Sequence, residues 1–311
     1  MASRPRTGNL TRRVVGNNIW FSDGPHDASQ YARMAVYPLR PETLDTEEAV
    51  GRAMVEELEK AARGKSGDLS IALLGGRGGQ AMHRILGQRA REGKLDWFLQ
   101  RLHVFTQDAL APLSKENGFS FVRDFERLLG SDFFRKIKTF TPMLTDTSDV
   151  EAALIRYIQK LEETGGLDIF FLGHGPEPGN ASHLAYIRPG SGATATDVAG
   201  IVPVSASILE HHIAKFKAGG LSPSLEDEAR CRSVTYILTL GPAAILQARR
   251  IVQSIVDAGT APAKRGSYRR VLDTEFADDG RKRARQLDEN PGLWVRLHPN
   301  VRSLVLADLL T

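Results

Sequence analysis

Apolar positions along the chain follow two alternating rhythms. Short apolar-rich runs at Leu69–Leu74, Leu102–Phe105, Asp168–Leu172 and Ser233–Leu240 have the length and composition of buried strands. A further short strand is expected at residues 34–40. Between these runs lie segments with helical spacing. In Thr46–Arg63, Ala49, Met54, Val55, Leu58 and Ala61 share one face and charges fill the other. Helices are also expected from near Gln80 through Leu86 to Arg91, over Ser120–Leu129, over Val150–Glu163, and from Gly241-Pro242 to Val256. Residues 260–285, rich in basic and small residues, read as a surface segment. A turn at Trp294–Leu297 and a strand at Val301–Ala307 close the chain.

Strands alternating with helices define an α/β protein with a mostly parallel sheet and helices on both faces. Residues 1–33 read as an N-terminal extension or arm, and 34–311 as a single α/β domain. The opening MASRPRTGNLTRR is basic, with no acid before Asp23 and no apolar stretch. It therefore reads as an arm and not as a secretory signal.

Ligands of parallel α/β sheets bind beyond the carboxyl ends of the strands. Distinctive loops follow Leu74, Phe105, Leu172 and Leu240, which places the candidate site there. Gly75-Gly76-Arg77-Gly78-Gly79 joins a strand to a helix start, where backbone amides and Arg77 can hold an anion. A merely tight turn is the alternative. Asp108 stands just past a strand, as a base raised by burial or as a capping aspartate. His174, Glu177 and His183 crowd the next loop. They can form an acid–base pair, part of a metal site, or an incidental polar surface. Their spacing fits no zinc motif, so no metal is expected.

His211 and His212 are adjacent on a helix, so at most one faces a site. His298, before Pro299, reads as structural. The cluster Arg281, Lys282, Arg283 and Arg285 is interrupted by Asp278, Asp279, Asp288 and Glu289, which suits a solvated loop or subunit contact better than a nucleic-acid stripe.

Composition adds bounds. The 311 residues are 41% hydrophobic and 25% charged, with a net charge of +4. That excess is too slight to argue for nucleic acid, and a small anionic substrate accounts for it as well. Cys231 is the single cysteine, so neither an intramolecular disulfide nor a cysteine zinc site can form. No apolar run reaches the roughly 18 residues of a membrane helix, and a cytoplasmic location is expected.

Taken together, the loops resemble one family. Leu74–Gly79 resembles the Thr-Gly-Gly-Thr-Pro phosphate loop of the glucosamine-6-phosphate deaminases and 6-phosphogluconolactonases. FTQDALAPL, from Phe105, is similar to Phe-Asn-Met-Asp-Glu-Tyr-Val-Gly-Leu. Gly173-His174-Gly175 and His183-Leu184-Ala185-Tyr186 resemble Gly-Val-Gly-Asn-Asp-Gly-His-Ile-Ala-Phe. LTLGPAA (238–244) and RLHPNVRSLVLAD (296–308) resemble the family's later Leu-Gly turn and closing segment.

The resemblance implies a Rossmann-like sheet, an anionic sugar substrate, no cofactor and frequent homo-oligomers. It places Asp108 as the group moving the C2 proton and His183 as the ring-opening histidine, with Glu177 as its possible partner. Gly75, Gly76, Arg77, Gly78, His174 and Arg188 would bind substrate. Aldose–ketose isomerisation with or without deamination, lactone hydrolysis and non-catalytic sugar sensing all remain open.

Departures are visible. The simplest alignment puts Ala181 where the family has an orienting aspartate, Arg188 where it has a glutamate, and Ala244 where it has a phosphate-binding lysine. Those losses predict poor turnover of glucosamine 6-phosphate.

Overall fold

A computed structural model describes residues 10–310, except 221, 258 and 260. In chain order the strands are β1 (Thr11–Val15), β2 (Asn18–Ser22), β3 (Pro41–Leu44), β4 (Leu69–Leu73), β5 (Leu102–Thr106), β6 (Asp108–Ala111) and β7 (Thr139–Thr141). They continue as β8 (Ile169–Leu172), β9 (Gly175–Glu177), β10 (Ala181–His183), β11 (Asp197–Pro203), β12 (Tyr236–Leu240), β13 (Ile251–Ile255) and β14 (Val301–Leu306).

Seven strands form a wholly parallel sheet in the order β3-β14-β13-β8-β4-β5-β7. Every residue of β4, β5, β8 and β13 is buried, as strands covered on both faces require. The helix Glu47–Gly64 starts where Thr46 accepts from Ala49 N. Its apolar face carries Val50, Met54 and Leu58 into the core. The helix Arg77–Arg91 begins three residues earlier than its apolar spacing suggests. Gly78 and Gly79 lie in its first turn, where an added Cβ would fall 2.9 Å from the Leu74 side chain and 2.3 Å from the Leu74 carbonyl.

A second sheet is antiparallel, in the order β1-β2-β11-β12-β6. It corrects several expectations. The expected extension includes the hairpin β1–β2, whose Trp20 and Phe21 are core residues. Asp197, fully buried, ties that hairpin down by accepting from Arg13, Ser22 and Thr194. Residues 1–9 lie outside the described residues. Residues 34–40 are not a strand, and β3 begins only at Pro41. The strand at 236–240 pairs antiparallel with β6 and β11 and so leaves the parallel sheet.

Its parallel place is taken by β13, inside the segment expected to be helical. That helix spans only Pro242–Gln247. The segment 260–285 contains the helix Ala263–Asp273 and the start of Gly280–Glu289. Arg283 is not solvated: it is buried and donates to the carbonyls of Tyr31, Met34 and Ala277. No helix among the described residues is long and apolar enough to cross a membrane.

Candidate active site

The carboxyl ends of β4, β5, β8 and β13 open onto one pocket. It is lined by the Gly loop with Arg77, by Gln107 and Asp108, by His174 and His183, and by Tyr186, His211, Lys215, Ser254 and Lys264. The loop after Leu240 is not part of it.

Asp108 stands where β5 of the parallel sheet passes, through Gln107 alone, into β6 of the antiparallel sheet. Both neighbours are anchored. Tyr157 donates its hydroxyl to the Thr106 carbonyl, and Leu240 N donates to the Gln107 carbonyl. Burial lifts the Asp108 carboxyl well above the usual carboxylate range, and the positive charge of Lys215 opposes that rise.

His183 ends β10, opposite Gly175 of β9. A residue and the one diagonally across an antiparallel pair share a face. His183 therefore reaches Glu177, and its Nδ1 lies 2.6 Å from Glu177 Oε1. The ring occupies the space a side chain on residue 175 would need: a Cβ there would lie 1.9 Å from His183 Nε2. Nδ1 donates to the carboxylate, which leaves Nε2 as the acceptor. Burial lowers the His183 pKa and Glu177 opposes this, so the imidazole rests neutral. Glu177 is held in turn by Ser207, whose hydroxyl donates to Oε2 at 3.1 Å.

His174 lies beside this pair. Its Nε2 is 2.8 Å from Ser267 Oγ, and burial holds it neutral, with a pKa of about 3. Ser267 donates to the Lys264 carbonyl, so it accepts from Nε2–H and leaves Nδ1 as an acceptor.

Cations converge on the Gly loop. Lys215 Nζ stands 5.6 and 5.3 Å from the ring centroids of Phe121 and Tyr186. A Cβ on Gly76, whose φ is +71°, would lie 3.2 Å from the same Nζ. Lys215 donates to the Tyr186 hydroxyl at 3.2 Å. That hydroxyl donates to His212 Nδ1 at 3.0 Å, and His212 Nε2–H donates to the Phe119 carbonyl at 2.8 Å. Each direction follows from the carbonyl at the end, which can only accept. Ala185 and Tyr186 carry successive positive φ values of 44° and 58°, a strained turn that presents the tyrosine. Lys264, buried, donates to the Val256 carbonyl at 2.8 Å, and burial lowers its pKa to about 8.

Most of the expected site residues come together. Asp108, His183, His174, Gly75, Arg77 and Gly78 line the pocket. Gly76 backs onto Lys215, and Glu177 is bonded to His183. Arg188 does not line the pocket, and its charge acts on Asp288 instead. Arg77 is already engaged by Glu47 at 2.9 Å. Gly75 is required by packing, since a Cβ there would fall 2.4 Å from the Phe121 ring.

Of the adjacent histidines, His211 lines the pocket, while His212 is buried in the relay described above. His298 accepts from Asn300 N and bonds the Ala248 carbonyl, a structural role. Reasoning on the sequence missed Lys215, Lys264 and Tyr186. Lys264 becomes findable once the β-branched run Ile251–Val256 is read as a strand leading into the site. Lys215 has no such signal on its helix, Ala206–Ala218. Among the described residues, no group of three or more His, Cys, Asp or Glu side chains could hold a metal ion.

The strand ends of an α/β protein's parallel sheet thus bring together a glycine loop, the buried Lys264, the half-buried Lys215, the buried Asp108 and the imidazole of His183 held by Glu177. The chain belongs to the glucosamine-6-phosphate isomerase/6-phosphogluconolactonase family, whose sequence profile matches residues 42–212. That family acts on phosphorylated sugars.

The fold agrees. A monomeric glucosamine-6-phosphate deaminase superposes with a TM-score of 0.65 at 20% identity, over 87% of this chain and 98% of that one. The 6-phosphogluconolactonase of Trypanosoma cruzi gives 0.61 at 14% identity, over 89% and 97%. That of Trypanosoma brucei gives 0.60 at 16% identity, over 89% and 100%. A comparison with curated proteins gives no match.

Proposed function

We propose that this chain is an acid–base enzyme of phosphorylated sugars, working by aldose–ketose isomerisation with or without loss of an amine. The observation that carries the proposal is the pairing, in one pocket, of the buried Asp108 with the His183 that Glu177 orients. The phosphate would sit on the backbone amides of Gly75–Gly78, with Lys215 and Lys264 as counter-charges. Asp108 would take the proton from C2 and return it to C1, through an enediol. His183 Nε2 would accept the proton of the anomeric hydroxyl and pass it to the ring oxygen as the C1–O5 bond breaks, with the reverse transfer on closure. Asp108 suits this role because burial brings its basicity toward neutral pH. His174 Nδ1 would accept from a sugar hydroxyl between the two ends.

Two of the three apparent losses are made good in space. Glu177 takes the orienting role expected of the residue at Ala181, and Lys264 and Lys215 supply the charge absent at Ala244. Only the exchange at Arg188 stands as a ground for expecting poor turnover of glucosamine 6-phosphate.

The same oriented imidazole could activate water against a lactone. The test is turnover in D2O with glucosamine 6-phosphate and, separately, 6-phosphogluconolactone. Carbon-bound deuterium in the recovered sugar supports isomerase chemistry. Lactone opening with no carbon-bound deuterium in either case supports hydrolysis. Binding without turnover of either favours a sensor.

A further inference from the structure

A second chamber lies behind the polar pocket, and Asp108 and Phe121 line both. Free space is unevenly divided: about 50 Å³ in the polar pocket against about 240 Å³ beyond the partition. The larger chamber is walled by Leu110, Leu113, Phe119, Val122, Met143 and Leu144.

Three charged residues that also line it, Lys115, Glu116 and Asp146, are exposed, and Ser120 is half-buried. Thr106 Oγ1 accepts from Met143 N, Thr145 donates to the Leu113 carbonyl, and both ring nitrogens of His212 are engaged. With Thr106, Thr145 and His212 engaged, the buried part of the wall that faces a ligand is chiefly apolar. Leu144, at its wall, remains 53% exposed. Taking a water's share of liquid volume as about 30 Å³, the space matches about eight water-sized groups.

A substituent on the carbon that Asp108 would serve, or on that carbon's amine, would lie next to the carboxylate, which lines the second chamber as well. We propose that the second chamber receives an apolar acyl or aryl substituent carried by the sugar phosphate at that position. The proposal rests on the sugar-phosphate reading above, and it extends the substrate class from glucosamine 6-phosphate itself to 2-amino sugar phosphates bearing a group larger than acetyl.

Calorimetric titration of the full chain tests it with inorganic phosphate, glucosamine 6-phosphate, N-acetylglucosamine 6-phosphate and N-benzoylglucosamine 6-phosphate. The benzoyl compound is expected to bind at least about tenfold more tightly than the acetyl compound, from the added apolar burial. Filling the chamber with Leu113→Trp, or with Val122→Phe should the first not fold, is expected to erase that gain. Affinities for phosphate and glucosamine 6-phosphate should stay unchanged. Equal binding of the acetyl and benzoyl compounds overturns the proposal, as does a gain that survives both filled variants. A change of molecular mass in solution on filling the chamber would make it a subunit contact and also overturn it. Phosphate and glucosamine 6-phosphate binding without the benzoyl gain refutes the chamber alone. Failure of all four probes refutes the sugar-phosphate reading with it.

Discussion

Glu177 Oε1 lies 2.6 Å from His183 Nδ1, across a two-stranded ribbon in which Gly175 gives the imidazole its room. This contact fixes the tautomer and aims Nε2 as an acceptor. Glu177→Ala is expected to lower kcat by about 10²- to 10⁴-fold, the usual range for a positioned acid–base group. KM should change little, because the lysines and the Gly loop are untouched. Glu177→Gln, which can still accept from Nδ1–H but lacks the charge, should fall between. Steady-state kinetics on the sugar phosphate that the wild type turns over checks both.

Gly175→Ala tests the same relationship from the other strand. The added methyl would lie 1.9 Å from His183 Nε2, so the ring must move off its partner. Activity should fall about as far as in Glu177→Ala. Inorganic phosphate should still bind by calorimetry, since the lysines and the Gly loop are unchanged. Full activity in this variant would detach His183 from the chemistry.

Lys215 and Lys264 approach the Gly loop from different helices. Hydrogen bonds to charged groups contribute about 1.5–3 kcal/mol. Lys215→Met and Lys264→Met should therefore each weaken inorganic phosphate binding by about 10- to 100-fold. Calorimetry at low salt measures this. Unchanged affinity in both variants would place the anion elsewhere.

The titrating groups set a sign for pH. Asp108 works ionised, and burial raises its pKa to about 7, so kcat/KM should rise with pH toward neutrality and not near 4. Lys264 binds phosphate when charged, and burial lowers its pKa to about 8, so binding should weaken above that pH. A bell-shaped profile with its top between about 7 and 8 follows. An acid limb near pH 4 would remove Asp108 as the base.

Much of the parallel sheet is legible in the chain, because β4, β5 and β8 are short apolar runs bounded by turn residues and charges. β13 was hidden. No glycine or proline separates it from the helix after Gly241, and a short apolar run cannot be told from buried helix by periodicity alone. In the chain alone β12 takes the place of β13, which directs the expected phosphate-side lysine to Ala244 and hides Lys264, a residue that lines the pocket. Asp108 and His183 were legible from their loops. The Glu177 contact was only an alternative, since it depends on Pro178-Gly179-Asn180 turning the chain so that positions 177 and 183 share a face. The integration of residues 11–22 could not be read either, because it depends on pairing β2 with the distant β11.

The most direct measurement is deuterium uptake into carbon when glucosamine 6-phosphate is incubated in D2O with the wild type and with Asp108→Asn, followed by NMR. Label is expected with the wild type and none with the variant, while calorimetry shows both proteins holding phosphate equally. Undiminished labelling by Asp108→Asn would contradict the assignment of that carboxylate as the group that moves the proton.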